Sequence, residues 1–209
     1  MPEILKIAPD KPDTSLIARV VEILQAGGVV AYPTETFYGL GVDGCNPKAI
    51  EKIFQIKGRN FKQPISVIIG STNDLQDLIA DPPEIAGKLI EEFWPGALTL
   101  VFKASPAVST LLTAGTGKIG IRISSHPVAS ALVKALGHPI TATSANLSGT
   151  KECSSAVEVM DCIGDQIDMV IDGGSTPGVS GSTILDIAAF PPVILREGII
   201  PASRLHPFL

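Results

Sequence analysis

Cysteine is scarce in this chain of 209 residues: Cys45, Cys153 and Cys162 are the only three. The count is odd, the spacing is wide and no C-x-x-C pair occurs, which argues against a disulfide framework and against a zinc site. A reducing compartment is the simpler setting. Charge is sparse too. Charged residues make up 18% of the chain, the net charge is −5 and the pI is about 5.2. Lys and Arg are scattered without a basic run. Bulk attraction to nucleic acid is therefore excluded, and any RNA contact needs a local basic groove. No uninterrupted apolar stretch is long enough to span a membrane, and the N-terminus, with Glu3, Lys6, Asp10 and Lys11, has no apolar signal segment. A soluble cytoplasmic protein is expected. Several catalytic signatures are missing as well: G-x-x-x-x-G-K-[ST], H-E-x-x-H and G-x-S-x-G. No nucleophile with a paired base stands out. That pattern fits chemistry by positioning and charge stabilisation, as in transfer at phosphorus.

What is present is an apolar fraction of 45%, enough for a substantial core in one domain spanning residues 1–209. Helix and strand patterns alternate from end to end. Asp13 or Thr14 can cap a helix with Leu16, Ile17, Val20, Ile23 and Leu24 on one face, ended by Gly27 and Gly28. Val29 to Tyr32 reads as a buried strand. Asn46-Pro47 starts a helix with the stripe Ile50, Ile53, Phe54, which ends at Lys57-Gly58. Strands are expected at Ile65–Ile69, Leu98–Phe102, Lys118–Ile123, Ile140–Ala142, Met169–Asp172, Ser182–Ile187 and Val193–Arg196. Helices are expected from Pro82-Pro83 to Phe93, and over Pro127–Leu136 and Ala156–Ile163. The class is α/β, with connections too irregular for a purely parallel sheet.

The densest chemistry lies in YPTETFYGLG, Tyr32 to Gly41. Pro33 stops a strand, two threonines, a carboxylate and a phenol follow, and Gly39 and Gly41 are read as letting the backbone bend. Gly39, Gly41 and Gly44 also match G-x-G-x-x-G. Pro33 to Tyr38 separate them from the strand, so a dinucleotide site is disfavoured. In Lys118–Ser124, alternation puts Ile119, Ile121 and Ile123 on one face and Lys118, Gly120, Arg122 and Ser124 on the other. That second face is either a solvated edge or an anion holder in which Arg122 grips a carboxylate. Lys57-Gly58-Arg59, followed by Lys62 and Gln63, either complements a helix dipole or clamps a polyphosphate. Thr143 to Gly149, TSANLSG, is either an ordinary turn or a set of small donors for a nucleotide. His126, His138 and His206 stand beside prolines in turns and read as surface residues.

Taken in order, PTETFYGLG, KGRNFKQP, GIR, TSANLSG, GSTILD and ILREG resemble the YrdC/Sua5 family, the L-threonylcarbamoyladenylate synthases, over about Val29 to Arg196. The resemblance implies a twisted, mixed parallel and antiparallel sheet with flanking helices around a large cationic groove. It implies a nucleotidyltransferase that converts L-threonine, bicarbonate or CO2 and ATP into threonylcarbamoyl-AMP and pyrophosphate, with Mg²⁺. A tRNA threonylcarbamoyl transferase complex then uses the product on adenosine 37 of tRNA. By motif, Thr36, Arg122, Ala142 and Ser182 hold threonine, while Lys57, Arg59, Gln63, Lys118, Ser144, Asn146 and Arg196 surround ATP. The chain looks like the short form of the family. Two positions depart from the pattern. Ile68 stands where long-form members have a substrate-contacting histidine, and Glu152 where many have a serine near the phosphates. Two other functions compete: a non-catalytic RNA-binding module of the same fold, and a carbamoyl-adenylate enzyme like the related domain of hydrogenase maturation proteins.

Overall fold

The computed structural model describes residues 2–58 and 60–209. In chain order its elements are β1 (Glu3–Lys6), α1 (Thr14–Gln25), β2 (Val30–Pro33), β3 (Tyr38–Gly41), α2 (Pro47–Lys57), β4 (Val67–Ile68), α3 (Leu75–Leu78) and α4 (Ile85–Phe93). These are followed by β5 (Leu98–Lys103), α5 (Thr110–Thr113), β6 (Lys118–Arg122), α6 (Pro127–Leu136), β7 (Ile140–Thr141) and β8 (Thr143–Ser144). The chain ends with α7 (Ala156–Ile163), β9 (Met169–Asp172), β10 (Thr183–Asp186), β11 (Val193–Arg196) and α8 (Ala202–Leu205).

Local chemistry sets the helix ends. The Asp13 carboxylate accepts from the Ser15 and Leu16 amides at the start of α1. Asn46 does the same for Lys48 and Ala49, with Pro47 in the first turn of α2. These side chains satisfy amides that the first helical turn leaves without partners. Gly58 closes α2 with a left-handed φ of 57°.

The expected sheet is in fact two. A five-stranded sheet has the order β1-β9-β2-β3-β8, and a six-stranded one the order β11-β10-β5-β6-β4-β7. Both are mixed: β9 runs parallel to β1 and β2, whereas β3 is antiparallel to β2 and β8. In the second sheet β10 is parallel to β5, and β6 is antiparallel to β5 but parallel to β4.

The alternation of strand side chains divides the apolar residues into two cores. Val30 and Tyr32 of β2 face α1 and α6, where they meet Val20, Leu24, Val128 and Leu132. Ala31, with Tyr38 and Leu40 of β3, faces the other way, onto Ile53, Leu100, Ile121 and Val159. Gly39 and Gly41 are paired residues of a regular strand, opposite Tyr32 and Val30. They do not bend the chain. They make room for the Tyr32 ring: a Cβ on Gly41 would lie 2.7 Å from its Cε1, and one on Gly39 3.0 Å from its Cζ. The Tyr32 hydroxyl donates to the Thr141 carbonyl at 2.8 Å, fixing the ring across both strands. Among the described residues no helix is long and apolar enough to cross a membrane.

Candidate functional site

The two sheets leave a groove of about 460 Å³ between the β2–β3 turn, the end of α2, β6, the segment Ala142–Glu152 and the β10–β11 pair. That volume suits a small-molecule ligand. Thr36, Lys57, Gln63, Arg122, Ala142, Ser144, Asn146, Ser182 and Arg196 all line it, so residues scattered along the sequence come together in one groove. Arg59 lies outside the described residues. Lys118 is not in the lining; its ammonium pairs with Asp186 at 2.7 Å.

The turn between β2 and β3 is built by its hydroxyls. Thr34 Oγ1 accepts from the Thr36 amide at 3.1 Å and donates to the Phe37 carbonyl at 2.7 Å. The Thr34 proton is thereby engaged, so in the 3.0 Å contact between the two hydroxyls Thr36 is the donor. Thr36 then presents oxygen lone pairs to the groove, which suit an ammonium or hydroxyl donor of a ligand.

Arg122 is buried, 5% exposed. Its Nη1 donates to Glu35 Oε1, and Glu35 Oε2 accepts from the Ser124 hydroxyl. Among the described residues the guanidinium has no other hydrogen-bond partner, although it lines the groove. Buried cationic donors in a fixed fork and facing a cavity form a receptor for a planar anion such as a carboxylate. The alternative of a solvated strand face is therefore excluded for Arg122. Neither Glu35 nor Ser124 was assigned a role from the motifs. The available signal was that an arginine on a core strand needs a counter-charge, and Glu35 is the carboxylate of the PTET run.

Lys57 and Asn146 serve the loop. Lys57 Nζ donates to the Ser144 carbonyl at 2.6 Å, the Asn146 carbonyl at 2.9 Å and Asn146 Oδ1 at 3.1 Å. Asn146 Oδ1 also accepts from the Ser144 hydroxyl, and its Nδ2 donates to the Thr150 carbonyl. The Ala142 amide is engaged by the Ser66 carbonyl at 2.8 Å, which leaves the carbonyl as its backbone group for a ligand. These bonds hold TSANLSG in one extended shape along the groove wall.

At the opposite wall Arg196 donates through Nε and Nη2 to the Ser182 carbonyl, at 3.1 and 2.8 Å, and its plane lies against Gly181. Ser182 Oγ is 2.9 Å from Thr99 Oγ1. Burial lowers the Arg196 pKa; Glu152 acts to raise it and Arg122 to lower it further. Glu152 thus faces the groove on the side of Arg196. Ile68 behaves otherwise. Its side chain is fully buried among Tyr32, Val128 and Ile140, outside the groove lining.

Comparison with known proteins agrees with this geometry. A family model named for Sua5, YciO and YrdC, and described as telomere recombination, matches residues 22–198. Threonylcarbamoyl-AMP synthase of Bacillus subtilis is 42% identical over 191 residues, 91% of this chain and 55% of its own length. A crystal structure of Pyrococcus abyssi Sua5 complexed with L-threonine superposes with a TM-score of 0.95 at 34% identity, covering 99% of this chain and 60% of that one. The crystal structure of Escherichia coli YciO gives 0.90 at 32% identity, with full coverage of both chains. The chain thus spans little more than half the length of the Bacillus relative. On the family-model match over residues 22–198 and these superpositions, it belongs to the Sua5/YciO/YrdC family.

Proposed function

We propose that the chain is an ATP-dependent threonylcarbamoyl-AMP synthase, acting on L-threonine, bicarbonate or CO2 and ATP. The observation that carries this reading is Arg122: a buried guanidinium anchored on one side by Glu35, with its remaining donors turned to the groove. That arrangement suits the carboxylate of an amino acid. Thr36, whose hydroxyl offers lone pairs, and Ser182 would take the amino acid's own hydroxyl and amine.

In this reading the threonine amine loses a proton and bonds to CO2, giving a carbamate. A carbamate oxygen forms a bond to the α-phosphorus as the bond from that phosphorus to the bridging oxygen breaks. Pyrophosphate leaves with the electron pair. The chain contributes position and charge. Arg122 fixes the amino acid, the Ser144–Asn146 loop borders the nucleotide, and Arg196 faces the negative charge that grows on the leaving group. Filled by its substrates, the groove would hold less water, which would otherwise decompose the carbamate. We place Gln63, Ser144 and Asn146 on the nucleotide side and Ala142 on the threonine side. Lys57 acts by holding the loop, and Lys118, paired with Asp186 outside the lining, is left without a nucleotide contact.

Mg²⁺ fits this groove at one place. Glu152 is a lining carboxylate without a hydrogen-bond partner among the described residues, and Mg²⁺ is commonly held by one carboxylate together with substrate phosphates. When bound, the ion would neutralise charge on the pyrophosphate. The product would pass to a tRNA threonylcarbamoyl transferase complex, a role carried out in the cytoplasm.

The test is pyrophosphate release from ATP and bicarbonate, with and without L-threonine and with L-serine for comparison. Threonine-dependent release that falls at least tenfold in Arg122→Lys and Arg196→Ala is expected. Release by neither amino acid, from protein that binds ATP, would overturn the reading in favour of a non-catalytic module.

A further inference from the structure

Outside the groove lining, the connection from β3 to α2 runs beside the connection from α6 to β7. Several bonds fix the two together. The Val42 amide donates to Thr141 Oγ1 at 3.0 Å, Asp43 forms an antiparallel bridge with Ile140, and the Gly44 amide donates to the Pro139 carbonyl at 2.8 Å. Gly44 has to be glycine here, because a Cβ would lie 2.8 Å from that carbonyl oxygen. Gly137 then ends α6 with a φ of 73°, which delivers His138 to the same place.

Three side chains of different chemistry meet at this junction. Asp43 Oδ1 accepts from the Cys45 amide at 2.8 Å, which turns the chain and brings the thiol round to the carboxylate. Asp43 Oδ2 is 3.2 Å from His138 Nδ1. The carboxylate oxygen, the sulfur and the ring nitrogen all lie within 4.8 Å of one another. Asp43 is the buried member, while Cys45 and His138 are open to solvent.

We propose that Asp43, Cys45 and His138 form a three-ligand site for a borderline-soft divalent cation of the Zn²⁺ class. The donor set supports this choice. Oxygen, sulfur and nitrogen together suit zinc and disfavour Mg²⁺ or Ca²⁺, which take oxygen ligands. Zinc–ligand bonds of about 2.0–2.3 Å imply donor separations of about 3.3–3.8 Å in a tetrahedron. Rotation of the exposed Cys45 and His138 side chains closes the remaining gap, while the backbone that carries them stays fixed. Asp43 would bind through Oδ2 alone, since Oδ1 holds the turn. Only three protein ligands are present, so water completes the coordination. The odd count and wide spacing of the three cysteines argue against a zinc site when cysteines alone are considered. The present site uses only one of them, with a histidine brought in by the fold.

The site would act as a brace. Its first two ligands immediately precede α2, whose last residue is Lys57. Its third precedes the β7–β8 segment carrying Ala142 and Ser144. A bound ion would join the supports of two groove walls and favour the folded chain by mass action.

The experiment uses the full chain, stripped with a chelator and titrated with Co²⁺ and then Zn²⁺. One Co²⁺ per chain is expected, with a thiolate-to-metal charge-transfer band in the near ultraviolet that Zn²⁺ displaces. Cys45→Ser should remove that band. Cys45→Ser, His138→Ala and Asp43→Asn should each weaken Zn²⁺ binding at least tenfold, and Zn²⁺ should raise the melting temperature of the native chain but not of Cys45→Ser/His138→Ala. Pyrophosphate release by Zn²⁺-free protein, assayed with Mg²⁺ present, should be unchanged in Cys45→Ser and His138→Ala. A missing charge-transfer band, or Zn²⁺ binding of native strength in Cys45→Ser, would overturn the proposal.

Discussion

Glu35 holds Arg122 and Ser124 with its two carboxylate oxygens, so the residue between the two threonines of the β2–β3 turn fixes the groove's buried guanidinium. Glu35 is itself only 14% exposed at its side chain. The pair has low stability value compared with apolar residues of the same size, but breaking it leaves a buried charge alone. Its benefit is orientation: one edge of Arg122 is fixed and the other is left to a ligand.

The first prediction concerns that anchor. Glu35→Ala should raise the KM for threonine at least tenfold, with a much smaller change for ATP, because only the amino-acid end loses its positioned donor. Stability should fall by about 3 kcal/mol, the low end of the range for an orphaned buried charge, since the groove admits water. Glu35→Gln keeps the shape and should lie between Ala and the native residue. Equal effects on the two KM values would show that Glu35 supports the fold generally and not Arg122.

Glu152 gives a second prediction. It faces the groove, and its charge is felt at Arg196. If it holds Mg²⁺ with the phosphates, Glu152→Ser should raise the Mg²⁺ concentration for half-maximal pyrophosphate release several-fold at fixed ATP. Tighter ATP binding with an unchanged Mg²⁺ requirement would instead mark Glu152 as a repelling charge.

Much of this fold is legible locally. Asp13, Asn46-Pro47 and Pro127 mark helix starts because capping is satisfied within a few residues, and α6, α7, β9 and β11 lie where the patterns put them. Pairing is not local. Nothing around Glu3–Lys6 distinguishes a strand, since only Leu5 of β1 is buried and its partner β9 lies far along the chain. The same limit hides the division into two sheets. Within the site, most of the residues picked by motif line one groove, but their duties are not written in the sequence. Lys57 reads as a phosphate clamp until its carbonyl acceptors on the TSANLSG loop are seen. Arg122 is ambiguous until Glu35 is found against it.

The two glycines of YGLG show how a correct residue choice can carry the wrong reason. They match a turn pattern, yet their role is to receive the Tyr32 ring. The third prediction follows. Gly41→Ala places a methyl 2.7 Å from Tyr32 Cε1, and the ring cannot retreat because it is fully buried with its hydroxyl tied to Thr141. Overpacking of this kind costs about 1–3 kcal/mol, or roughly 3–10 °C in melting temperature for a chain of this size. A variant as stable as the native chain would restore the reading of Gly41 as a bend.

The fourth prediction is a pH dependence. His126 Nδ1 accepts from the Val128 amide at 3.2 Å and so caps α6 in its neutral form. Burial lowers its pKa from the ordinary 6.5, outweighing the nearby Glu35 and Asp10 carboxylates, which act to raise it. The unfolded chain therefore takes up a proton as the pH drops through 6.5 while the folded chain still refuses it. Unfolding then binds more protons than folding, so stability falls on acidification and levels off only below the folded-state value. Asparagine caps helices well and does not titrate. His126→Asn should therefore be close to native stability near pH 7.5 and should lose less melting temperature than the native chain on going to pH 5.5. Parallel curves for the two proteins would mean that the acid sensitivity of the fold lies elsewhere, since a charged His126 has no ring lone pair left to accept from the Val128 amide.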